Sequence, residues 1–296
     1  TDRVGHVRSL VQRLARGDRW DLVFNIAEGL RGFGREAQVP ALLEAYDIPC
    51  TFADSMVCAL SLHKGMCKHV VRSLGLPTPG FHVVAGPADL AAVDLPFPLF
   101  VKPVAEGTGK GVTAGSRATD AARLRQLCEG IWERYRQPAR VEEYLPGREL
   151  TVGVLGTGPE AEAVGTLEIV LLPGAEGGVY SYLNKEECER LVEYRKADDA
   201  EAMRAAERAL AAHKALGCRD AARHDLRSDG DGEPVFLEVN PIAGLHPSHS
   251  DLPILAGLHA MSYDRLLGAI VTAAAARQGL GSVTKAAGRT PRRASR

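Results

Sequence analysis

The residues most able to do chemistry lie close together near the C-terminal end. Ala222-Arg-His-Asp-Leu-Arg is followed by Ser-Asp-Gly-Asp-Gly-Glu and then by Pro-Val-Phe-Leu-Glu-Val-Asn. The middle segment is turn chemistry, with Gly and Asp throughout. A hairpin folded about Asp231 and Gly232 sets Asp225 opposite Glu238 and Arg223 opposite Asn240. Side chains alternate faces along a strand. Arg223, Asp225, Glu238 and Asn240 therefore share one face, and His224, Leu226, Leu237 and Val239 the other. Facing carboxylates repel unless a cation lies between them. Two carboxylates and an amide oxygen are hard ligands suited to Mg²⁺. A solvated polar hairpin face is the plainer alternative.

A second stretch, Lys102-Pro-Val-Ala-Glu-Gly-Thr-Gly-Lys-Gly-Val, holds a GTGKG run. It is not a P-loop, because Val104 stands where the first Gly is needed and Gly111 replaces the Ser or Thr after the Lys. It is not a dinucleotide fingerprint either. Successive backbone N–H groups in such a loop can wrap an anion, with Lys102 and Lys110 adding charge. An ordinary hairpin turn is the competing reading.

These segments need a scaffold. Apolar runs predict strands at Trp20 to Ala27, Pro49 to Phe52, Phe81 to Ala85, Leu99 to Pro103, Arg140 to Leu145, Glu149 to Leu155 and Ala163 to Leu171. Strands over Ala221 to Arg227 and Pro234 to Asn240 form the hairpin. Helices are expected at Val39 to Tyr46, Ser61 to Leu74, Thr119 to Tyr135, Ala200 to Leu216 and Tyr263 to Arg277, with a short one at Pro87 to Val93. Gly75 and Pro77 end the second of these, and Gly217 stops the Ala-rich fourth. Gly174 to Glu187 is polar and Gly-rich and reads as a mobile loop. If extended, it sets Tyr180 and Tyr182 on one face. The mixture predicts an α/β (α+β) fold. His63, His69, His213 and His259 fall on helices and read as surface or packing residues.

Composition narrows the function classes. The chain has 296 residues, 45% of them hydrophobic and 25% charged, and a net charge of -1. That is ordinary for a globular protein and excludes disorder of the whole chain. A near-neutral chain has no global footprint for nucleic acid or an anionic membrane. No apolar run reaches the roughly 18 residues of a membrane helix. Six cysteines, none in a C-x-x-C pair, are expected as free thiols in a reducing cytoplasm. His246 and His249 flank Ser248 and Ser250, but no G-x-S-x-G elbow supports a Ser/His hydrolase.

Taken in order, several segments resemble the ATP-grasp fold and, within it, the D-alanine–D-alanine ligase family. They are Asp21-Leu-Val-Phe-Asn-Ile-Ala-Glu-Gly, the helix around Lys64, Phe97-Pro-Leu-Phe-Val-Lys-Pro, Glu142-Glu-Tyr-Leu-Pro-Gly-Arg-Glu, Phe236-Leu-Glu-Val-Asn-Pro and Gly244-Leu-His-Pro-Ser-His-Ser-Asp-Leu-Pro. The resemblance runs from about Trp20 to Arg277. It implies a partial Rossmann-like N-terminal domain over 1–53, a central subdomain over 54–143 and a catalytic subdomain over 144–279, the last two sandwiching ATP. A basic tail over 280–296 is expected to be disordered. The family's first strand and glycine-rich turn are absent from the sequence, so the chain is expected to begin partway into the N-terminal domain.

The resemblance also implies roles. Lys64 and Lys102 match the lysines that hold ATP phosphates. Glu106, Gly107, Thr108, Gly109 and Lys110 match the flap over them. Glu142, Glu143 and Leu145 match the adenine hinge, and Glu149 the ribose acid. Lys185 matches a lysine near the γ-phosphate. Asp225, Glu238 and Asn240 match the Mg²⁺ ligands, with Mn²⁺ as a substitute. Arg223 and Gly244 match the groups that stabilise the oxyanion, and Ser250 the one that holds the second substrate's carboxylate. Three positions depart from the family pattern. Glu28 replaces a His, Thr108 a Ser, and Glu186 a lid Tyr.

The implied activity is an ATP-dependent carboxylate–amine ligase working through an acyl phosphate, most closely a D-alanine–D-alanine ligase of peptidoglycan biosynthesis. The implied partners are ATP and amino-acid or carboxylate substrates, in a possible homodimer. The alternatives are a ligase for another carboxylate and amine pair, and a catalytically impaired ATP-binding module.

Overall fold

The computed structural model describes residues 1–280, so the expected basic tail lies outside the described residues apart from Leu280. The chain opens with α1 (Val7–Ala15), α2 (Gln38–Ala45), α3 (Ser55–Leu62) and α4 (Lys64–Ser73). A first β-layer follows, with β1 (Phe81–Val84), β2 (Leu99–Pro103) and β3 (Arg117–Ala118), then α5 (Ala121–Tyr135) and β4 (Ala139–Glu143). The second layer starts with β5 (Glu149–Leu155) and β6 (Glu162–Leu171). The short helices α6 (Tyr182–Glu186) and α7 (Cys188–Leu191), β7 (Val192–Ala197) and α8 (Ala200–Leu216) come next. The hairpin of β8 (Ala221–Ser228) and β9 (Pro234–Asn240) precedes α9 (Asp251–Leu258) and α10 (Tyr263–Arg277).

Two antiparallel sheets carry the architecture, in the orders β1-β4-β2-β3 and β7-β6-β5-β8-β9. Helix α5 covers the first sheet through Leu124, Cys128 and Ile131, which meet Leu99, Val101 and Val141 in one buried cluster. Helix α8 covers the second sheet with Ala202, Ala205 and Ala209, small residues that let its backbone lie close to Leu150, Val152, Val154 and Leu226. Burying each large aliphatic side chain contributes about 1.5–3 kcal/mol. Asp199 caps the start of α8 by accepting from Ala202 N, and Gly217 ends it at φ 74°, as its position in the sequence predicts.

The first strand pair is weaker than the apolar runs suggest. Trp20 to Ala27 and Pro49 to Phe52 meet only in a parallel bridge between Val23 and Cys50. The expected helix over Ser61 to Leu74 is two helices broken at His63. His63 Nδ1 accepts from Met66 N at 3.2 Å and so caps α4. The Lys64 N–H leaves the helical ladder and donates to Val104 O at 3.1 Å. The break therefore pins Lys64 against the loop after β2. Strand β7 and helix α9 were not expected. The first carries a charged edge sequence, and the second is a short apolar run with Pro253 in its first turn. The segment 174–187 contains α6, and Tyr180 is buried while Tyr182 is exposed, so the two do not share a face.

Candidate active site

The hairpin pairs as its turn chemistry predicts. Arg223 faces Asn240, and Asp225 faces Glu238. One correction follows from a register shift between Asp225 and Leu226, after which Leu226 pairs with Phe236. Leu237 is the extra residue of this bulge. It turns to the cleft wall with Glu238 rather than to the core with Val239.

On the hairpin's polar face the charges are closely paired. Arg223 donates from Nε to Asp225 Oδ1 at 3.0 Å and from Nη2 to Asp225 Oδ2 at 2.9 Å. Its Nη1 lies 3.2 Å from Asp251 Oδ2. Thr151 Oγ1 and Asn240 Nδ2 also donate to Asp225, at 3.0 and 3.2 Å. Asp251 accepts in turn from the Tyr180 hydroxyl at 3.2 Å, and that hydroxyl meets the Tyr194 hydroxyl at 2.6 Å. Two carboxylates beside Arg223 raise its pKa further despite burial. Glu238 is held down to about 2, because Lys64, Arg140 and Lys102 outweigh the cost of its burial.

The first sheet faces the hairpin with a cluster of cations. Glu142 accepts from Lys68 Nζ at 2.7 Å and Lys102 Nζ at 2.5 Å, and Arg140 Nε lies 3.4 Å away. Burial opposes this carboxylate's charge, but the three cations win and hold it well below the usual carboxylate range. Burial likewise lowers Lys68 to about 7 and Lys102 in the same direction. Lys64 donates to Glu106 O at 3.0 Å and stands 3.9 Å from Glu238.

A cleft of about 810 Å³, its open mouth included, separates the two faces. It brings together Lys64, Lys102, Glu106, Gly109, Lys110, Glu142, Glu143, Leu145, Glu149, Lys185, Asp225 and Glu238. Gly107 and Thr108 lie in the same loop, where Lys110 N donates to Gly107 O and Val112 N to Gly109 O. Thr108 and Gly109 both have positive φ. A Cβ on Gly109 would meet Tyr182 N at 3.2 Å, so the loop needs glycine where it meets the start of α6. Lys185 lies over the Tyr180 ring at 4.5 Å.

The residues expected at the hinge all line the cleft and make the following protein contacts. Glu142 lies near the end of a central strand, paired with both Phe81 and Phe100, and its side chain is engaged in ion pairs. It offers no strand edge to adenine. Glu143 Oε2 accepts from Gly80 N at 2.7 Å, and Tyr144 N donates to Pro98 O. Among the described residues the Leu145 N–H has no protein acceptor, and Leu145 lines the cleft. Glu149 faces Arg227 at 3.3 Å, and burial raises its carboxyl.

Of the expected residues, Arg223 and Asn240 do not line the cleft but bond Asp225 behind its wall, and Glu28, Gly244 and Ser250 also lie outside its lining. Glu28 lies in a separate hollow with His6, Ile26 and Arg31. Gly244 and Ser250 close on each other, and Ser250 Oγ accepts from His246 N at 2.9 Å. The Ser250 oxygen thus accepts from its own loop, which leaves the hydroxyl proton available to donate elsewhere. Lys68, Arg140, Asp251, Arg227 and Glu36 were missed by sequence reasoning. Arg140 had a legible signal, as a charged residue at an inward strand position. Glu36 is raised by burial and opposed first by Lys64, which sets it near the same centre. Behind the hairpin, His213 and His224 are buried against each other at 3.3 Å, and Cys218 lies beside them. All six cysteines are free and buried. Among the described residues no single helix is long and apolar enough to cross a membrane.

Comparison with known proteins bears on this arrangement. A family model described as the D-ala D-ala ligase C-terminus matches residues 70–272. A D-alanine–D-alanine ligase from Bordetella petrii is 36% identical over 278 residues, covering 90% of this chain and 79% of that one. The crystal structure of the VanG D-Ala:D-Ser ligase from Enterococcus faecalis superposes with a TM-score of 0.70 at 27% identity, covering 86% and 73% of the two chains. The D-alanine–D-alanine ligase from Bacillus anthracis complexed with ATP shares the fold, with a TM-score of 0.73 at 21% identity, over 93% and 85%. The family match spans more than half the chain, so this protein belongs to the D-alanine–D-alanine ligase family and is an ATP-dependent ligase of the ATP-grasp fold.

Proposed function

We propose that the cleft between the two sheets binds ATP and joins the carboxylate of one amino acid to the amine of a second, with D-alanine the first candidate for both. The observation that carries this reading is the paired hairpin. Asp225 faces Glu238 across one register step, and Arg223 is fixed beside them, opposite Lys64 of α4 and Lys102 of the first sheet.

In the first step a carboxylate oxygen attacks the γ-phosphorus, the bond to the β–γ bridging oxygen breaks, and ADP leaves. In the second the amine attacks the acyl carbon, loses a proton, and inorganic phosphate departs. Lys64, Lys102 and the loop Glu106–Lys110 are proposed to hold the phosphates, with Lys185 approaching from the lid. Leu145 N–H is proposed to meet adenine and Glu149 the ribose. The hard donors Asp225, Glu238 and Asn240 fit Mg²⁺, or Mn²⁺ in its place, and Glu238 is ionised as a ligand must be. The metal, when bound, supplies neutralising charge to the phosphoryl group. Arg223 and the Gly244 N–H are proposed to stabilise the oxyanion. The segment 174–187 is proposed as the lid that excludes water, without which the acyl phosphate hydrolyses. We place the nucleotide subdomains at 54–143 and 144–279 after an N-terminal substrate-side domain over 1–53, and propose a homodimer, checked by sedimentation.

A second reading has one observation in its favour. Asp251 places a buried carboxylate on Arg223, one residue on from Ser250. That arrangement suits a different carboxylate and amine pair. The test is phosphate release from ATP over a panel of D- and L-amino acids and simple amines, with products weighed by mass spectrometry. D-alanine-dependent release with a dipeptide product supports the first reading. Release with other acceptors only sinks it in favour of the second.

A further inference from the structure

Among the described residues, Arg140 is the fully buried cation of the cleft whose donors are all unspent. It lies opposite Lys102 and Val83 in the first sheet, so its side chain shares the face that carries Lys102 and Glu142. The side chain is completely buried, and Nε, Nη1 and Nη2 have no hydrogen-bond partner among the described residues. The nearest carboxylate oxygens are Glu142 Oε2, 3.4 Å from Nε, and Glu238 Oε2, 3.9 Å from Nη2. The first is not counted as a hydrogen bond and the second is too long for one. Buried donors are almost always satisfied, so an orphaned guanidinium on a cleft wall needs an acceptor.

Charge points the same way. Within 4 Å, Lys64, Lys68, Lys102 and Arg140 share Glu142 and Glu238, with Glu36 and Glu149 farther off, so four cations are in direct contact with two carboxylates. Burial first, and then Arg140 and Lys102 beside it, lower Lys68, so a lysine here can shed its proton. Arginine cannot. Its charge must be met by an anion that the two glutamates do not supply.

We propose that Arg140 is a phosphate ligand of the nucleotide, donating to the polyphosphate of bound ATP beside Lys64 and Lys102. This rests on the ATP site proposed above. A guanidinium presents a planar fork that matches two oxygens of a phosphate, whereas Lys64 and Lys102 act as point charges. Its place 3.9 Å from Glu238, the same separation as Lys64, sets it toward the end of the cleft where the proposed metal ligands lie.

The test is equilibrium binding of ATP, adenosine and inorganic tripolyphosphate to the wild-type chain, Arg140→Met and Arg140→Lys. Arg140→Met is expected to weaken ATP and tripolyphosphate about 10- to 100-fold, the range for a charged hydrogen bond, and to leave adenosine within about twofold. If Arg140→Met does not fold, Arg140→Lys carries the test. It is expected to weaken tripolyphosphate several-fold, because one ammonium replaces the fork, with adenosine unchanged. Equal losses for adenosine and ATP make Arg140 a purely structural cation and overturn the proposal. So does unchanged tripolyphosphate affinity in a folded variant. Wild-type protein that binds neither ATP nor adenosine overturns the nucleotide site itself, and this inference with it.

Discussion

Two buried charge clusters face each other across the cleft, and they are built on opposite plans. On the hairpin side, Arg223 directs three of its nitrogens to Asp225 and Asp251, and Asp225 is held in place by Arg223, Thr151 and Asn240. That cluster is closed. On the other side Glu142 satisfies Lys68 and Lys102, but Arg140 is left with no acceptor and positive charge is in excess. That cluster is open. A closed cluster fixes geometry before anything binds, as a group that acts on a transition state requires. An open cluster costs the fold something until an anion arrives, and so converts binding energy into ordering of the site.

The largest effect is expected where the closed cluster meets the proposed metal. Asp225→Asn or Glu238→Gln should lower phosphate release by about 10³-fold or more, while circular dichroism and the melting transition stay close to those of the wild type. Full-rate turnover in either variant would refute these residues as metal ligands. Arg223→Met comes next, with a loss of about 10²- to 10³-fold in kcat and little change in KM for ATP. An effect confined to KM would move Arg223 into the open, phosphate-binding group and erase the contrast between the clusters.

The open cluster makes a prediction about protons. Lys68 falls to about 7 in the folded chain against 10.5 for a free lysine. Between those values the unfolded chain holds the proton and the folded chain does not, so stability rises with pH across that window. Below it the full cost of a buried ammonium is present. Added phosphate charge favours the ammonium, so ATP binding should take up protons between about pH 7 and 9. Calorimetry in buffers of differing ionisation enthalpy should show the uptake, and Lys68→Met should abolish it. Buffer-independent heats in the wild type would mean that the nucleotide does not complete this cluster.

The contrast also separates what the sequence made legible from what it did not. The closed cluster was readable because it is local. A Gly-Asp turn sets a two-strand register, and register decides that Asp225 meets Glu238. Even there the bulge at Leu237 escaped, since nothing in alternation signals an extra residue. The open cluster joins Lys68 on α4, Lys102 on β2 and Glu142 on β4, which are distant in sequence. No spacing rule reaches across them. Resemblance supplied Lys64, Lys102 and Glu142, but not the ion pairs by which Glu142 gathers Lys68 and Lys102. The break at His63 was hidden for a related reason. Its cause is the pairing of Lys64 N with Val104 O, a contact made only after the first sheet forms. Asp251 belongs to a loop and a short helix with no periodic signature, and only packing brings it to Arg223.

The smallest effect concerns what stands behind the closed cluster. On the opposite face of β8 from Arg223 and Asp225, His224 and His213 share a hydrogen bond, and His213 also meets Gly156 O at 3.2 Å. Burial lowers His213 to about 4 and pushes His224 well below its ordinary value. Both are therefore neutral in the folded chain, whereas the unfolded chain protonates them below about 6.5. Folding stability should fall as pH drops from 6.5 toward 4, by about 3 kcal/mol for His213 alone when the whole window is crossed. Urea unfolding at pH 7 and at pH 4.5 reads most of this loss, and His213→Gln should reduce the difference between the two. The sign is opposite to what a histidine held by a carboxylate would give. Stability that rose on acidification would show that the pair is charged, and the polar face it supports would then have to be balanced differently from the closed cluster described above.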